Sequence, residues 1–219
     1  MNLPTKITFS RIIATVLLII ALFIMSLINF IAPTFLQTDG RYGINLVFLI
    51  IFIFFVIASY TDHLDGHLAR KNNQITNLGK FLDPVADKLL INSMVIFLIA
   101  PSIFARYAPY QGITFNMWCA IILVARDIVV DALRFIAAQK KVVIAANIFG
   151  KMKTVLEMVA ISFVLLNGFP FYYIDANWPV GLHITDFIVY ITTAMSLISG
   201  IIYVWQNRQV FLKEDEAKE

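Results

Sequence analysis

Residues 42–87 read YGINLVFLIIFIFFVIASYTDHLDGHLARKNNQITNLGKFLDPVAD. The opening part, 42–61, carries no Asp, Glu, Lys or Arg, and then breaks into Asp62-x-x-Asp65-Gly66-x-x-Ala69-Arg70. A membrane-spanning helix needs roughly 17–25 mostly apolar residues, so the stretch reads as a span ending in an acidic cluster. Asp62, Asp65, Gly66 and Ala69 fall at i, i+3, i+4 and i+7, one face of a helix. A polar link follows, then Gly79-x-x-x-Asp83-x-x-x-Asp87, with its two acids at i and i+4 of a second helix. Both clusters emerge on the same side of a membrane and face each other across a short turn. Pro84 is expected in the first turn of that second helix, where its missing N–H is harmless.

Working outward, five more uncharged stretches appear: 12–38, 89–105, 107–125, 158–174 and 187–207. The chain of 219 residues is 60% hydrophobic and 14% charged, leaving little for a water-soluble domain. Open sheet edges do not survive in lipid, and no alternating strand pattern is visible. The expectation is an all-α integral membrane protein, a six-transmembrane-helix bundle forming a single domain over 1–219. Residues 1–10, mixed in polarity with Pro4 near the start, read as a short N-terminal interfacial helix ahead of the first span. That span is expected to remain uncleaved, because no basic segment precedes its long apolar run.

Charge sets the orientation. With six spans, both termini and the even-numbered turns share one side, and 15 of the 17 Lys and Arg residues lie there or at its helix ends. Only Arg41 and Arg106 lie opposite. Such a bias marks the cytoplasmic face, so both termini and the acidic clusters are expected in the cytoplasm. The net charge of +3 is modest and dispersed, which argues against nucleic-acid binding. The lone Cys119 excludes an internal disulfide. His183 is expected in an outer interfacial belt.

Ionisable groups in spans are costly and usually face a partner or a cavity. A single such Asp is more often a salt-bridge partner than a ligand. Asp62, Asp65, Asp83 and Asp87 together would repel one another unless neutralised. Two divalent cations resolve this, since hard cations prefer carboxylate oxygens and Mg²⁺ combines a few carboxylates with substrate phosphates. Gly66, Ala69 and Gly79 lack bulk and permit close approach to the backbone, and Arg70 has the fork geometry that suits a diphosphate. Arg126, Arg134, Lys151 and Lys153 converge on the same half, where a phosphorylated acceptor needs cations. They serve equally as topology signals or as partners for Asp127 and Asp131.

The string at 62–87, D-x-x-D-G-x-x-A-R-x8-G-x-x-x-D-x-x-x-D, resembles the signature of the CDP-alcohol phosphatidyltransferase family. The resemblance implies a six-helix membrane bundle, usually a homodimer, in which Asp62, Asp65 and Asp83 hold metal ions, Mg²⁺ or Mn²⁺, and the CDP-linked donor. Gly66, Ala69, Arg70 and Gly79 would line the donor pocket. Asp87 would contact a metal and act as general base on the acceptor hydroxyl. Three further segments are similar to the phosphatidylglycerophosphate synthase branch: Asn2 to Arg11, Ala125-Arg126-Asp127 to Leu133-Arg134, and Gly150-Lys151-Met152-Lys153-Thr154. They imply transfer of a phosphatidyl group from CDP-diacylglycerol to glycerol 3-phosphate in a bacterial cell membrane, with Arg126, Arg134, Lys151 and Lys153 on the acceptor phosphate. Thr5, Asp131 and Glu157 depart from the branch pattern, the last two near the acceptor pocket.

Other readings remain. The same chemistry could use inositol phosphate, serine or phosphatidylglycerol as acceptor, although a neutral acceptor leaves the cations without a task. An aspartate-rich prenyltransferase lacks the Gly66, Ala69, Arg70 and Gly79 framework. A cation-coupled transporter would place its carboxylates near mid-membrane, not in one helix-end layer.

Overall fold

The computed structural model describes residues 3–28, 33–38, 42–71, 77–99, 113–140, 148–175 and 177–212. Six long helices dominate them: α1 (Leu3–Leu27), α2 (Leu46–Lys71), α3 (Asn77–Ile99), α4 (Met117–Gln139), α5 (Ile148–Leu165) and α7 (Ile184–Leu212), with a single-turn α6 (Tyr172–Asp175) before the last. Between α1 and α2 lies an antiparallel hairpin, β1 (Thr34–Thr38) and β2 (Tyr42–Asn45), pairing Thr34 with Asn45 and Thr38 with Tyr42. The architecture is all-α apart from this hairpin.

Two expectations change here. The N-terminal interfacial helix is not a separate element, because α1 runs unbroken from Leu3. Pro4 sits at its start, where the φ of proline is already helical. The first span, expected to end near Ala32-Pro33, stops as helix α1 at Leu27, and the chain continues as β1 from Thr34.

Caps fix the ends far from the acids. The Asn45 side chain accepts from the Val47 N–H (2.8 Å) and that of Asn116 from Trp118 (3.0 Å), satisfying donors that a helix start leaves open. At α7, Asp186 reaches back to the His183 N–H (3.0 Å) while Asp175 accepts from Ile184 (2.8 Å), a reciprocal arrangement of the capping-box kind. His183, beside this cap, is buried within the protein at 4% exposure. Beyond α5, Asn167 and Gly168 adopt positive φ, and the Asn167 amide ties two loops by accepting from Ile113 N–H (2.8 Å) and donating to the Gly43 carbonyl (3.0 Å).

The core follows helical periodicity. Phe48, Ile51, Phe55 and Ala58 of α2 meet Leu90, Ile91, Met94, Val95 and Leu98 of α3, together with Leu123 of α4 and Ala160, Ile161 and Val164 of α5. Small polar residues are also inside: Thr15, Thr192, Ser196 and Ser199 are buried, whereas Leu17, Phe23, Ile191, Ile201 and Trp205 face outward. Water disfavours such an apolar exterior, and membrane helices pack through small and hydroxyl residues in this way. By length and apolarity, Thr5–Leu27 and Ile184–Arg208 can cross a membrane, and Leu46–Asp62 forms a shorter apolar run. Helices α3, α4 and α5 are more polar because the charges described next lie within them. In the packing, α1 lies against α2 and α3, both α4 and α5 lie against α7, and α3 joins the two groups through α4 and α5.

Candidate active site

Helix α1 presents Thr5, Thr8, Arg11 and Thr15, at spacings of three and four residues, as a buried polar stripe on an otherwise apolar rod. Two of these side chains reach the acids. The Thr8 hydroxyl donates to Asp83 Oδ1 (2.8 Å), and Arg11 forms an ion pair with Asp62 through Nη1. The Arg11 guanidinium is almost wholly enclosed, whereas Asp62 keeps a third of its side chain exposed. Asp87, one turn beyond Asp83, is partly buried. The charges that act on it are Asp62, Lys88, Arg11 and Asp127. Three helices thus bring Asp62, Asp83 and Asp87 into one layer.

Asp65, Gly66, Ala69 and Arg70 belong to the last turns of α2, and their side chains lie outside the described residues. Gly79 is buried near the start of α3. Because α3 begins at Asn77, Pro84 stands inside the helix and not in its first turn. It removes the N–H that would face the carbonyl of residue 80, yet α3 continues through it from Asn77 to Ile99.

A second layer lies beside the first. Asp127 of α4 is 1% exposed and receives cations from three helices. Lys88 approaches its Oδ2 at 2.7 Å, while Arg126 (3.1 Å) and Lys153 (2.8 Å) share its Oδ1. Lys153 also pairs with the fully buried Glu157 one turn along α5. Arg126 donates its other terminal nitrogen to Ser199 of α7 (2.7 Å). Thus two residues assigned to the acceptor phosphate, Arg126 and Lys153, do come together. Lys153, however, is enclosed between two carboxylates with 1% of its side chain exposed, so it holds the cluster together and does not face a ligand. Arg134 lies over the Tyr203 ring, 5.6 Å from its centroid, and lines a cavity of about 650 Å³ between α3 and α4 with Lys88, Asn92, Ser93 and Asp131. Lys151 is exposed on α5, apart from the cluster.

These two layers match a known pattern along nearly the whole chain, for the profile described as CDP-alcohol phosphatidyltransferase covers residues 1–205. The chain belongs to the CDP-alcohol phosphatidyltransferase family. It is similar to proteins named CDP-diacylglycerol–glycerol-3-phosphate 3-phosphatidyltransferase. That of Bacillus subtilis is 35% identical over 209 residues, covering 94% of this chain and 95% of the relative. That of Mycoplasma pneumoniae is 34% identical, covering 94% and 87%, and that of Rickettsia bellii 31%, covering 96% and 97%. The family is membrane-integral and its members generally depend on divalent cations.

The donor set fits such cations. Carboxylates are the oxygen ligands that hard ions take, and Thr8 and Arg11 orient two of them as outer partners commonly do. Among the described residues no group of three or more His, Cys, Asp or Glu is gathered closely enough to hold a metal; Asp65, the fourth acid of this family's signature, lies outside them.

Sequence reasoning left Thr8, Arg11 and Lys88 without roles in these layers, while Asp127 was expected as an ion-pair partner and pairs so, and Glu157 was placed near the acceptor pocket. The threonine and arginine were visible only as part of an N-terminal resemblance, and their spacing on one face was the available signal. Gly200 is a further member. A Cβ there would lie 3.0 Å from Arg126 Cγ, tighter than ordinary van der Waals contact, while Asp127 and Ser199 fix the other end of that side chain. Gly200→Ala is expected to shift the guanidinium and raise the KM for a phosphorylated acceptor several-fold, leaving the donor KM unchanged. Steady-state kinetics with each substrate varied in turn checks this; equal changes in both constants would refute it.

Proposed function

We propose that this chain transfers the phosphatidyl group of CDP-diacylglycerol to sn-glycerol 3-phosphate, forming phosphatidylglycerol phosphate and releasing CMP. The observation that carries this reading is the contact between an acidic layer and a cationic one at neighbouring residues, Asp87 and Lys88 of α3, in a chain similar to enzymes named for that reaction. The first layer suits a diphosphate donor and the second a phosphorylated acceptor.

When bound, two divalent cations, Mg²⁺ or Mn²⁺, at Asp62, Asp65, Asp83 and Asp87 would neutralise the donor diphosphate and the departing CMP. Arg11 and Thr8 keep Asp62 and Asp83 aimed into that layer. Gly66, Ala69 and Gly79 leave room for the nucleotide, and Arg70 pairs with its diphosphate. Asp87 accepts the proton of the acceptor's 1-hydroxyl as that oxygen bonds to the lipid-side phosphorus and the bond to CMP breaks. The transfer is written as a single displacement, with no covalent intermediate on the protein. Arg126 binds the acceptor phosphate, with Arg134 at the edge of the neighbouring cavity, while Lys151 at the surface attracts the anion and Lys153 acts through Asp127.

In this reading all six long helices span a bacterial cell membrane as one domain over 1–219, both termini and the site lie in the cytoplasm, and the protein works as a homodimer. The charge bias of the sequence supports it, since 15 of the 17 Lys and Arg residues fall on the side assigned to the cytoplasm. The donor's acyl chains then stay in lipid while its headgroup reaches the acids. The test is CMP release by detergent-purified protein supplied with CDP-diacylglycerol and Mg²⁺. Release is expected only when glycerol 3-phosphate is added. Equal release with inositol phosphate or serine would overturn the acceptor, and none with any alcohol would overturn the reaction.

A further inference from the structure

Three cations meet at Asp127, and they differ in access. The side chain of Lys153 is 1% exposed, that of Arg126 11% and that of Lys88 24%. Of the three, Lys88 lines the cavity between α3 and α4, where Arg134 also stands. We infer that Asp127 is a positioning residue that aims Lys88 and Arg126 at the acceptor phosphate, and that Lys88 itself binds that phosphate. This rests on the reaction proposed above and adds a ligand and its support to it.

Charge gives the first reason. Lys88, Arg126 and Lys153 face two carboxylates, Asp127 and Glu157; with Asp87 beside Lys88 engaged by the metals of the first layer in the reaction proposed above, three positive charges meet two negative ones and one is left over. An unbalanced charge in a partly buried layer is unfavourable, and a phosphomonoester anion supplies the missing negative charge. Hydrogen-bonding capacity gives the second. An ammonium has three donors, Asp127 engages Lys88 through one oxygen, and Lys88 lines the cavity, where a phosphate can take further donors. Lys153 already serves two carboxylates in a closed site.

Position gives the third reason. Lys88 directly follows Asp87, and in glycerol 3-phosphate the phosphate and the attacking hydroxyl sit at opposite ends of a three-carbon chain. Adjacent residues of one helix point about 100° apart, so one can grip the phosphate while the other takes the proton. Asp127 fixes the grip, because its two oxygens hold Lys88 on one side and Arg126 on the other. Lys153 and Glu157 in turn fix Asp127.

The test is steady-state kinetics of Lys88→Met, Lys88→Arg, Asp127→Asn and Asp127→Glu in the detergent-purified full chain. The KM for glycerol 3-phosphate and that for CDP-diacylglycerol are measured separately, beside thermal melting. Lys88→Met and Asp127→Asn are expected to raise the acceptor KM about tenfold or more, the scale of one charge-assisted hydrogen bond. The donor KM stays within about twofold, and the Arg and Glu replacements recover part of the loss. Should Asp127→Asn fail to fold, Lys88→Met decides alone, since its side chain lies at the cavity edge. Unchanged acceptor KM in folded variants, or an equal rise for both substrates, would overturn the inference while wild-type activity upholds the reaction. Wild-type protein inert with glycerol 3-phosphate would overturn both.

Discussion

Asp87→Asn is expected to lower glycerol 3-phosphate-dependent CMP release by about 10²–10⁴-fold, the usual contribution of a positioned general base. The replacement keeps the size of the side chain and removes only its charge and proton affinity. Asp87 is partly buried at the meeting point of Asp62, Lys88, Arg11 and Asp127, so the loss of one acid there eases repulsion with Asp62 and the fold should persist. Melting of the purified variant close to wild type, with a collapsed rate, is the expected pair of results. A rate within tenfold of wild type would remove Asp87 from the role of base, and a neighbouring carboxylate would have to take it.

Chelation is expected to abolish turnover altogether, and Mg²⁺ or Mn²⁺ to restore it. The reason is the set of acids proposed to hold the ions, Asp62, Asp65, Asp83 and Asp87, of which Asp62 pairs with the buried Arg11 and Asp83 accepts from Thr8. Without divalent ions the acids repel one another, so binding should also stabilise the fold. A ligand at a hundred times its Kd contributes about 2.7 kcal/mol, which raises the melting temperature measurably in EDTA-treated protein given Mg²⁺ alone. The same titration on Asp62→Asn or Asp83→Asn should show a weakened rise. Full activity in excess chelator would contradict the metal reading, and an unchanged melting curve would contradict the placement of the ions.

Much of this arrangement is legible in the residues because it obeys short-range geometry. Asp83 and Asp87 share a face by spacing, and each uncharged run overlaps one of the long helices, although most helix ends extend or stop about three turns away from it. What is not legible depends on tertiary contact. Thr8 and Arg11 lie in a helix that reads as a plain span, and only its packing against α3 brings them to Asp83 and Asp62. The strands flank Asp39 and Arg41 but each lies at the edge of an uncharged run, so hydropathy alone does not separate them from the helices. Lys153 carries the charge a phosphate needs, yet composition does not reveal that Asp127 and Glu157 already enclose it. The same buried ions make α3, α4 and α5 look less like membrane helices than α1 and α7 do.

The packing of α1 and α2 around α3, and of α4 and α5 around α7, divides the bundle by task. Asp62, Asp83 and Asp87, with Thr8 and Arg11, all belong to the first group; Arg126, Asp127, Lys153, Glu157 and Ser199 belong to the second. The first three helices can therefore remain a fixed handle for nucleotide-activated lipids while the later ones vary. A change of alcohol then needs substitutions in α4 through α7 and at Lys88, the one acceptor-side residue that α3 contributes, while the acids on the donor side stay as they are.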